Sequence, residues 1–89
     1  MKERILNVSD DRRTPIRIPQ AGVAVTEGTI VEWLAAEGDH VTVGQVLYRL
    51  ETDKVEMDVD CPASGVIHIV GRTGQSYLVG DEIGHIDSP

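Results

Sequence analysis

Apolar and polar positions alternate with a period of two along most of the chain, in runs of only a few residues, each closed by glycine or proline. Ile16-Arg17-Ile18 predicts a first strand, stopped by Pro19, and residues 20–27 read as a loop. Thr29-Ile30-Val31-Glu32-Trp33-Leu34 predicts a second; it is too short and too closely bounded by Gly28 and Gly38 to be a helix. A short strand over Val41 to Val43, one over Val46 to Glu51 and one over Glu56 to Asp60 follow. Val66 to Val70, Tyr77 to Val79 and Glu82 to Asp87 complete the set. Many short strands with turn residues between them predict an all-β sandwich or barrel.

The pattern repeats within the chain. When Gly28 to Gly44 is set over Gly65 to Gly80 with one deletion, the framing glycines coincide. Val43 then falls on Val79, Leu47 on Ile83 and Leu50 on Ile86. Neither half is large enough to bury its own apolar face, so the repeat predicts a pseudo-twofold sandwich. One position resists placement: Val31, Trp33 and Ala35 share one side of their strand while Ile30 and Leu34 share the other, a conflict that a bulge would relieve.

The stretch from Val46 to Cys61 sorts best as a hairpin whose two central turn residues are Asp53 and Lys54. Glu51 then opposes Glu56, Leu50 opposes Met57, Arg49 opposes Asp58, Tyr48 opposes Val59 and Leu47 opposes Asp60. One face collects Val46, Tyr48, Leu50, Met57, Val59 and Cys61; the other collects acids and Arg49, with Leu47 its one apolar member. A slip by one residue would scramble both faces. Arg49 and Asp58 are placed for a cross-strand ion pair. The carboxylates of Glu51 and Glu56 form either a recognition surface or an exposed polar face. Two-residue hairpin turns favour glycine because both central positions want positive φ. Asp53-Lys54 has none, which predicts a type I turn and puts an amine where glycine would suit the backbone better.

Composition narrows the function. The chain has 89 residues, one domain's worth, with 40% hydrophobic but only 3% aromatic residues and no Phe. Its core must be aliphatic, and a deep aromatic-lined pocket is not expected. A net charge of −7 argues against nucleic acid and anionic membranes as partners. The single cysteine, Cys61, excludes a disulfide framework and a CxxC site; it reads as a small buried hydrophobe in a reducing, cytoplasmic setting. No signal peptide or membrane-length apolar run is present in the sequence. Residues 1–14, rich in both charges, read as a flexible tail before a domain over residues 15–89. His40, His68 and His85 are scattered, with His68 and His85 on strands, and no metal-ligand spacing or acyl-transfer motif occurs; a catalyst is not expected.

Glu51-Thr52-Asp53-Lys54-Val55-Glu56-Met57 resembles the attachment motif of lipoyl domains of 2-oxo acid dehydrogenase complexes. The frame agrees: Gly28-Thr-Ile-Val-Glu-Trp33, Gly38-Asp39, Gly44, Val46-Leu47, Pro62-Ala-Ser-Gly65 and Val79-Gly80. The likeness extends from Ile16 to Asp87. It implies a flattened barrel of two four-stranded antiparallel sheets with Lys54 at a hairpin tip far from the termini. It further implies lipoate in amide linkage to Lys54, with Asp53 and Val55 fixing its presentation and Glu51, Thr52 and Glu56 forming the surrounding recognition surface. Gly38 and Gly44 would permit supporting turns. The implied partners are a lipoate-protein ligase or lipoyl transferase, a thiamine-diphosphate-dependent decarboxylase, an acyltransferase core passing acyl groups to coenzyme A, and dihydrolipoyl dehydrogenase. The resemblance makes the chain a monomeric, non-catalytic carrier that keeps a tethered group near successive active sites. The lack of an Ala/Pro-rich linker favours a stand-alone carrier over a piece of a larger acyltransferase.

Related carriers fit less well. Biotin carrier domains place Met on both sides of the lysine, where this chain has Asp53 and Val55. The glycine-cleavage carrier is longer, and a phosphopantetheine carrier needs a helical bundle and an Asp-Ser-Leu site. An unmodified β-sandwich interaction module is the alternative from a different class.

Overall fold

The computed structural model describes residues 12–89. These form eight strands: β1 (Arg13–Arg17), β2 (Glu27–Trp33), β3 (His40–Val41), β4 (Val46–Glu51), β5 (Glu56–Asp60), β6 (Gly65–Ile69), β7 (Ser76–Leu78) and β8 (Glu82–Asp87). They lie in two four-stranded antiparallel sheets, ordered β1-β8-β6-β3 and β5-β4-β2-β7. The result is an all-β flattened sandwich. Its core is aliphatic, as the composition requires: Ile16, Ile18, Ile30, Leu47, Leu50, Ile67, Ile83 and Ile86 pack with Tyr48, Val41 and Cys61 between the sheets.

The internal repeat is a property of the fold. Exchanging β2, β3, β4 and β5 for β6, β7, β8 and β1 turns one sheet order into the other. The backbone bonds follow the same exchange: Leu34 N–H donates to Leu47 O at 2.7 Å and Val70 N–H to Ile83 O at 2.9 Å. Gly38 N–H donates to Ile67 O and Gly74 N–H to Ile30 O. Strands β4 and β8 share one burial sequence, with two adjacent inward residues in each. A bulge explains both pairs. Against β5 the register steps from Val46↔Asp60 to Tyr48↔Val59, and against β1 from Glu82↔Arg17 to Gly84↔Ile16. Leu47 and Ile83 are the extra residues, turned inward and fully buried.

The expectation that Leu47 opposes Asp60 on the acidic face therefore fails. Asp60 pairs with Val46 instead. A third bulge resolves Trp33. Between Ile30↔Leu50 and Glu32↔Arg49 the extra residue is Val31, which lets Ile30 and Trp33 both face inward. It is also the residue deleted in the repeat, since β6 pairs with β8 without interruption. The indole packs on Tyr48 with centroids 5.0 Å apart and donates to Gly71 O at 3.0 Å.

Two boundaries differ from expectation. Arg13 and Thr14, assigned to the tail, open β1; residues 1–11 of that tail lie outside the described residues. Pro15 is tolerated inside β1 because, among the described residues, that strand is a sheet edge, where a missing donor breaks no ladder. Val43, placed on a strand with Val41, lies beyond β3 and is exposed. The remaining strands agree to within a few residues, and β4, β5 and β8 coincide with the prediction.

Candidate attachment site

The β4–β5 hairpin positions Lys54. Its pairs are those expected near the tip: Glu51↔Glu56, Leu50↔Met57, Arg49↔Asp58 and Tyr48↔Val59. Leu50 and Tyr48 are fully buried, so the strand leading to the turn is anchored in the core. Arg49 Nε lies 3.3 Å from Asp58 Oδ1, and both side chains are largely exposed, so the ion pair contributes at most a few tenths of a kcal/mol.

The turn from Thr52 to Val55 is closed by a threonine. Thr52 N–H donates to Val55 O at 2.8 Å. In return the Thr52 hydroxyl oxygen accepts from Val55 N–H at 3.1 Å and Lys54 N–H at 3.2 Å. Such side-chain-to-backbone bonding is how threonine substitutes for a backbone turn. Every non-glycine residue described has negative φ, which excludes the I′, II and II′ turns and is consistent with type I. No glycine is required at the tip, and a lysine is accommodated without strain.

Asp53, Lys54, Val55, Glu51 and Glu56 are all exposed, and Thr52 is half-buried. The structure thus brings the expected site residues together around one tip, but gives Thr52 a different part. Its hydroxyl is engaged inside the turn and orients the lysine backbone. Lys54 forms no ion pair among the described residues, so its amine is accessible to an incoming carboxyl derivative. Amide formation there would remove the charge without breaking an existing contact.

Beside the hairpin is a cleft of about 390 Å³, lined by Ala24 to Thr26 from the β1–β2 connection, Glu27 to Thr29 at the start of β2, and Glu51, Thr52 and Asp53. The connection is held by its own bonds. Gln20 Nε2 donates to Gly22 O and, at 2.8 Å, to Val25 O, while Val25 is buried as an anchor. Sequence alternation carries no signal for this proximity, because it comes from the pairing of Thr29 with Glu51 on neighbouring strands of one sheet, between residues far apart in the chain.

Gly38 and Gly44 adopt φ of +85° and +89°, as the supporting turns require. Cys61 is buried and its thiol donates to Ala63 O at 2.8 Å, in keeping with a packing role. The histidines are not all scattered. His68 and His85 are half-buried on neighbouring strands, with rings stacked at 4.8 Å; only His40 stands apart and exposed.

The family described as biotin-requiring enzyme (Biotin_lipoyl) matches residues 14–86. A protein of Rickettsia conorii, named as the dihydrolipoyllysine-residue succinyltransferase component of the 2-oxoglutarate dehydrogenase complex, is 38% identical over 76 residues, covering 84% of this chain and 19% of that protein. The equivalent component of Bacillus subtilis is 39% identical over 72 residues, 80% of this chain and 17% of its own length. In Corynebacterium glutamicum the similar protein is the dihydrolipoyllysine-residue acetyltransferase component of the pyruvate dehydrogenase complex, 38% identical over 74 residues, 82% of this chain and 11% of its own. The chain spans less than a fifth of the length of these curated relatives.

Proposed function

Because the chain belongs to the biotin/lipoyl attachment family, we propose that Lys54 carries covalently bound lipoate and that the sandwich from Arg13 onward is a carrier domain. The observation that carries this reading is the threonine-closed turn presenting, outside the sandwich, a lysine that forms no ion pair among the described residues. When attached, lipoate supplies a dithiolane capable of acyl and electron transfer. The chain's own contribution is position. Leu50 and Tyr48 root the hairpin in the core, Thr52 orients the backbone of Lys54, and Asp53 and Val55 flank the linkage.

The relatives' names support lipoate over biotin, as does the absence of Met beside Lys54. The same names support a place in a 2-oxo acid dehydrogenase system; the partners this reading requires are a ligase or lipoyl transferase, a thiamine-diphosphate-dependent decarboxylase, an acyltransferase core and dihydrolipoyl dehydrogenase. Glu51, Asp53, Glu56, Asp58 and Asp60 make the region around the tip acidic, so a partner docking there would present a basic surface. The domain acts as a monomeric, non-catalytic cytoplasmic carrier. Among the described residues no helix is long and apolar enough to cross a membrane.

Intact mass after expression with lipoate and a lipoate-protein ligase tests the reading. The expected result is a single lipoyl increment that disappears in Lys54→Ala. An unmodified chain under those conditions, or a biotinyl increment, overturns it.

A further inference from the structure

The outer face of the β1-β8-β6-β3 sheet carries a cluster for which attachment at Lys54 has no use. His68 and His85 are direct partners in the β6–β8 register, and Asp87 follows two residues after His85 on the same face. His68 Nε2 lies 3.0 Å from Asp87 Oδ2, and His85 Nε2 lies 3.7 Å from Asp87 Oδ1. The other nitrogen of His68, Nδ1, lies 2.9 Å from Glu37 Oε2. Glu37 is itself fixed, since its Oε1 accepts from Ile69 N–H at 2.6 Å.

These contacts constrain the imidazoles. With its hydrogen on Nδ1 for Glu37, neutral His68 points the lone pair of Nε2 at a carboxylate oxygen 3.0 Å away. Two electron-pair donors at that separation repel unless something positive sits between them. His85 Nδ1 is buried with no partner among the described residues, which leaves Nε2, on the Asp87 side, as its polar atom in contact. Among the described residues, the arginines of β1 are engaged elsewhere. Arg13 is opposite Asp87 in the register, yet its guanidinium bonds Glu82 at 2.5 Å, and Arg17 also turns to Glu82. Pro15, opposite His85, offers no polar side chain.

The geometry points to a divalent-cation site in which His68 Nε2, His85 Nε2 and the Asp87 carboxylate are the ligands. Glu37 orients His68 through Nδ1, the carboxylate–histidine arrangement that commonly supports metal-bound imidazole. Two imidazoles and one carboxylate suit Zn²⁺ and leave a fourth position for water. The three ligand atoms already lie within 4.8 Å of one another. Bonds of about 2.0–2.2 Å to a tetrahedral ion require separations near 3.3 Å. The backbone need not move to close that gap, because Ile67 and Ile86 are fully buried beneath the cluster and hold the strands in register. Asp87, half-exposed, has room to turn its carboxylate toward the two rings. Bound metal would clamp β6 to β8 and, through Glu37, tie the β2–β3 connection to them.

Calorimetric titration of ZnCl₂ into the untagged full chain, in a buffer that does not chelate metal, tests this. The expected result is saturable binding of one ion, weakened roughly tenfold or more by His68→Gln, His85→Gln and Asp87→Asn. His40→Gln and Lys54→Ala should leave it unchanged. Circular dichroism of each variant separates lost binding from lost folding, and Asp87→Asn, at an exposed site, keeps the test open if a histidine variant does not fold. Absence of saturable binding in the folded parent overturns the proposal, as does affinity unaltered by Asp87→Asn.

Discussion

The hydroxyl of Thr52 accepts a hydrogen bond from the backbone N–H of Lys54 at 3.2 Å, so the orientation of the attachment residue is set by the side chain two positions before it. Thr52→Val keeps the shape and removes this bond and the one from Val55 N–H. The expected cost is about 1 kcal/mol of folding stability, the ordinary value for such bonds. Modification of Lys54 should also slow, while Thr52→Ser preserves both properties. Denaturant melts and a mass-spectrometric time course with ligase and lipoate measure the two effects. Equal modification rates in the valine and threonine proteins would remove Thr52 from the site.

Tyr48 is fully buried, and its hydroxyl has no hydrogen-bond partner among the described residues. Tyr48→Phe removes an unsatisfied polar atom and is expected to leave stability equal or raise it by up to about 1 kcal/mol. A loss of more than that in urea melts would show that the hydroxyl is satisfied.

The same burial pushes the Tyr48 phenol up to about 12. Because the unfolded chain releases that proton near the ordinary 10.0, the folded form holds it more tightly between the two values. Stability is therefore unaffected below pH 10 and falls as pH rises from about 10 to about 12, by roughly 1.4 kcal/mol per unit at most. Melts across this range should show a steeper alkaline decline for the parent than for Tyr48→Phe.

At the acid end, Ile69 N–H and then His68 hold the Glu37 carboxyl below its usual 4.5. The contacts it makes are present above the ordinary value and are lost as pH falls through the lowered one. Carboxyl and amide NMR shifts of Glu37 and Ile69 should titrate together below pH 4.5. In Glu37→Gln the Ile69 amide should show no such step.

Glycine is required at some positions by lack of space. A Cβ at Gly84 would stand 2.5 Å from His68 O, a backbone atom that cannot yield, whereas at Gly28 it would meet only the side chain of Leu50, at 2.7 Å. Gly84→Ala is expected to cost about 3 kcal/mol or more, and Gly28→Ala about 1–2. Chemical denaturation of both, side by side, checks the order.

Much of the site was legible in the sequence because it is local. Alternation from Tyr48 to Val59 admits only one register, and the turn at Asp53-Lys54 follows from it. What escaped was produced by the sandwich as a whole. Leu47 reads as an outward residue until a bulge turns it in, and two-residue periodicity cannot announce its own interruption. The Ala24–Thr29 wall of the cleft and the meeting of His68 with His85 arise from pairings between distant segments. The repeat was the one long-range signal in the sequence, and its single deletion corresponds to the bulge at Val31.

The two corners of the sandwich are near copies. Ser88 N–H donates to Arg12 O at 2.8 Å, just as Thr52 N–H donates to Val55 O at 2.8 Å, yet the first corner is formed by separate segments and the second by one continuous turn. The fold is therefore indifferent to which corner is closed. A circular permutant joined by a short turn between Ser88 and Arg12 and opened between Asp53 and Lys54 would keep all eight strands in their present order within the sheets. A lysine in the new turn would be displayed from the opposite pole, so that one architecture could present an arm at either end, or at both.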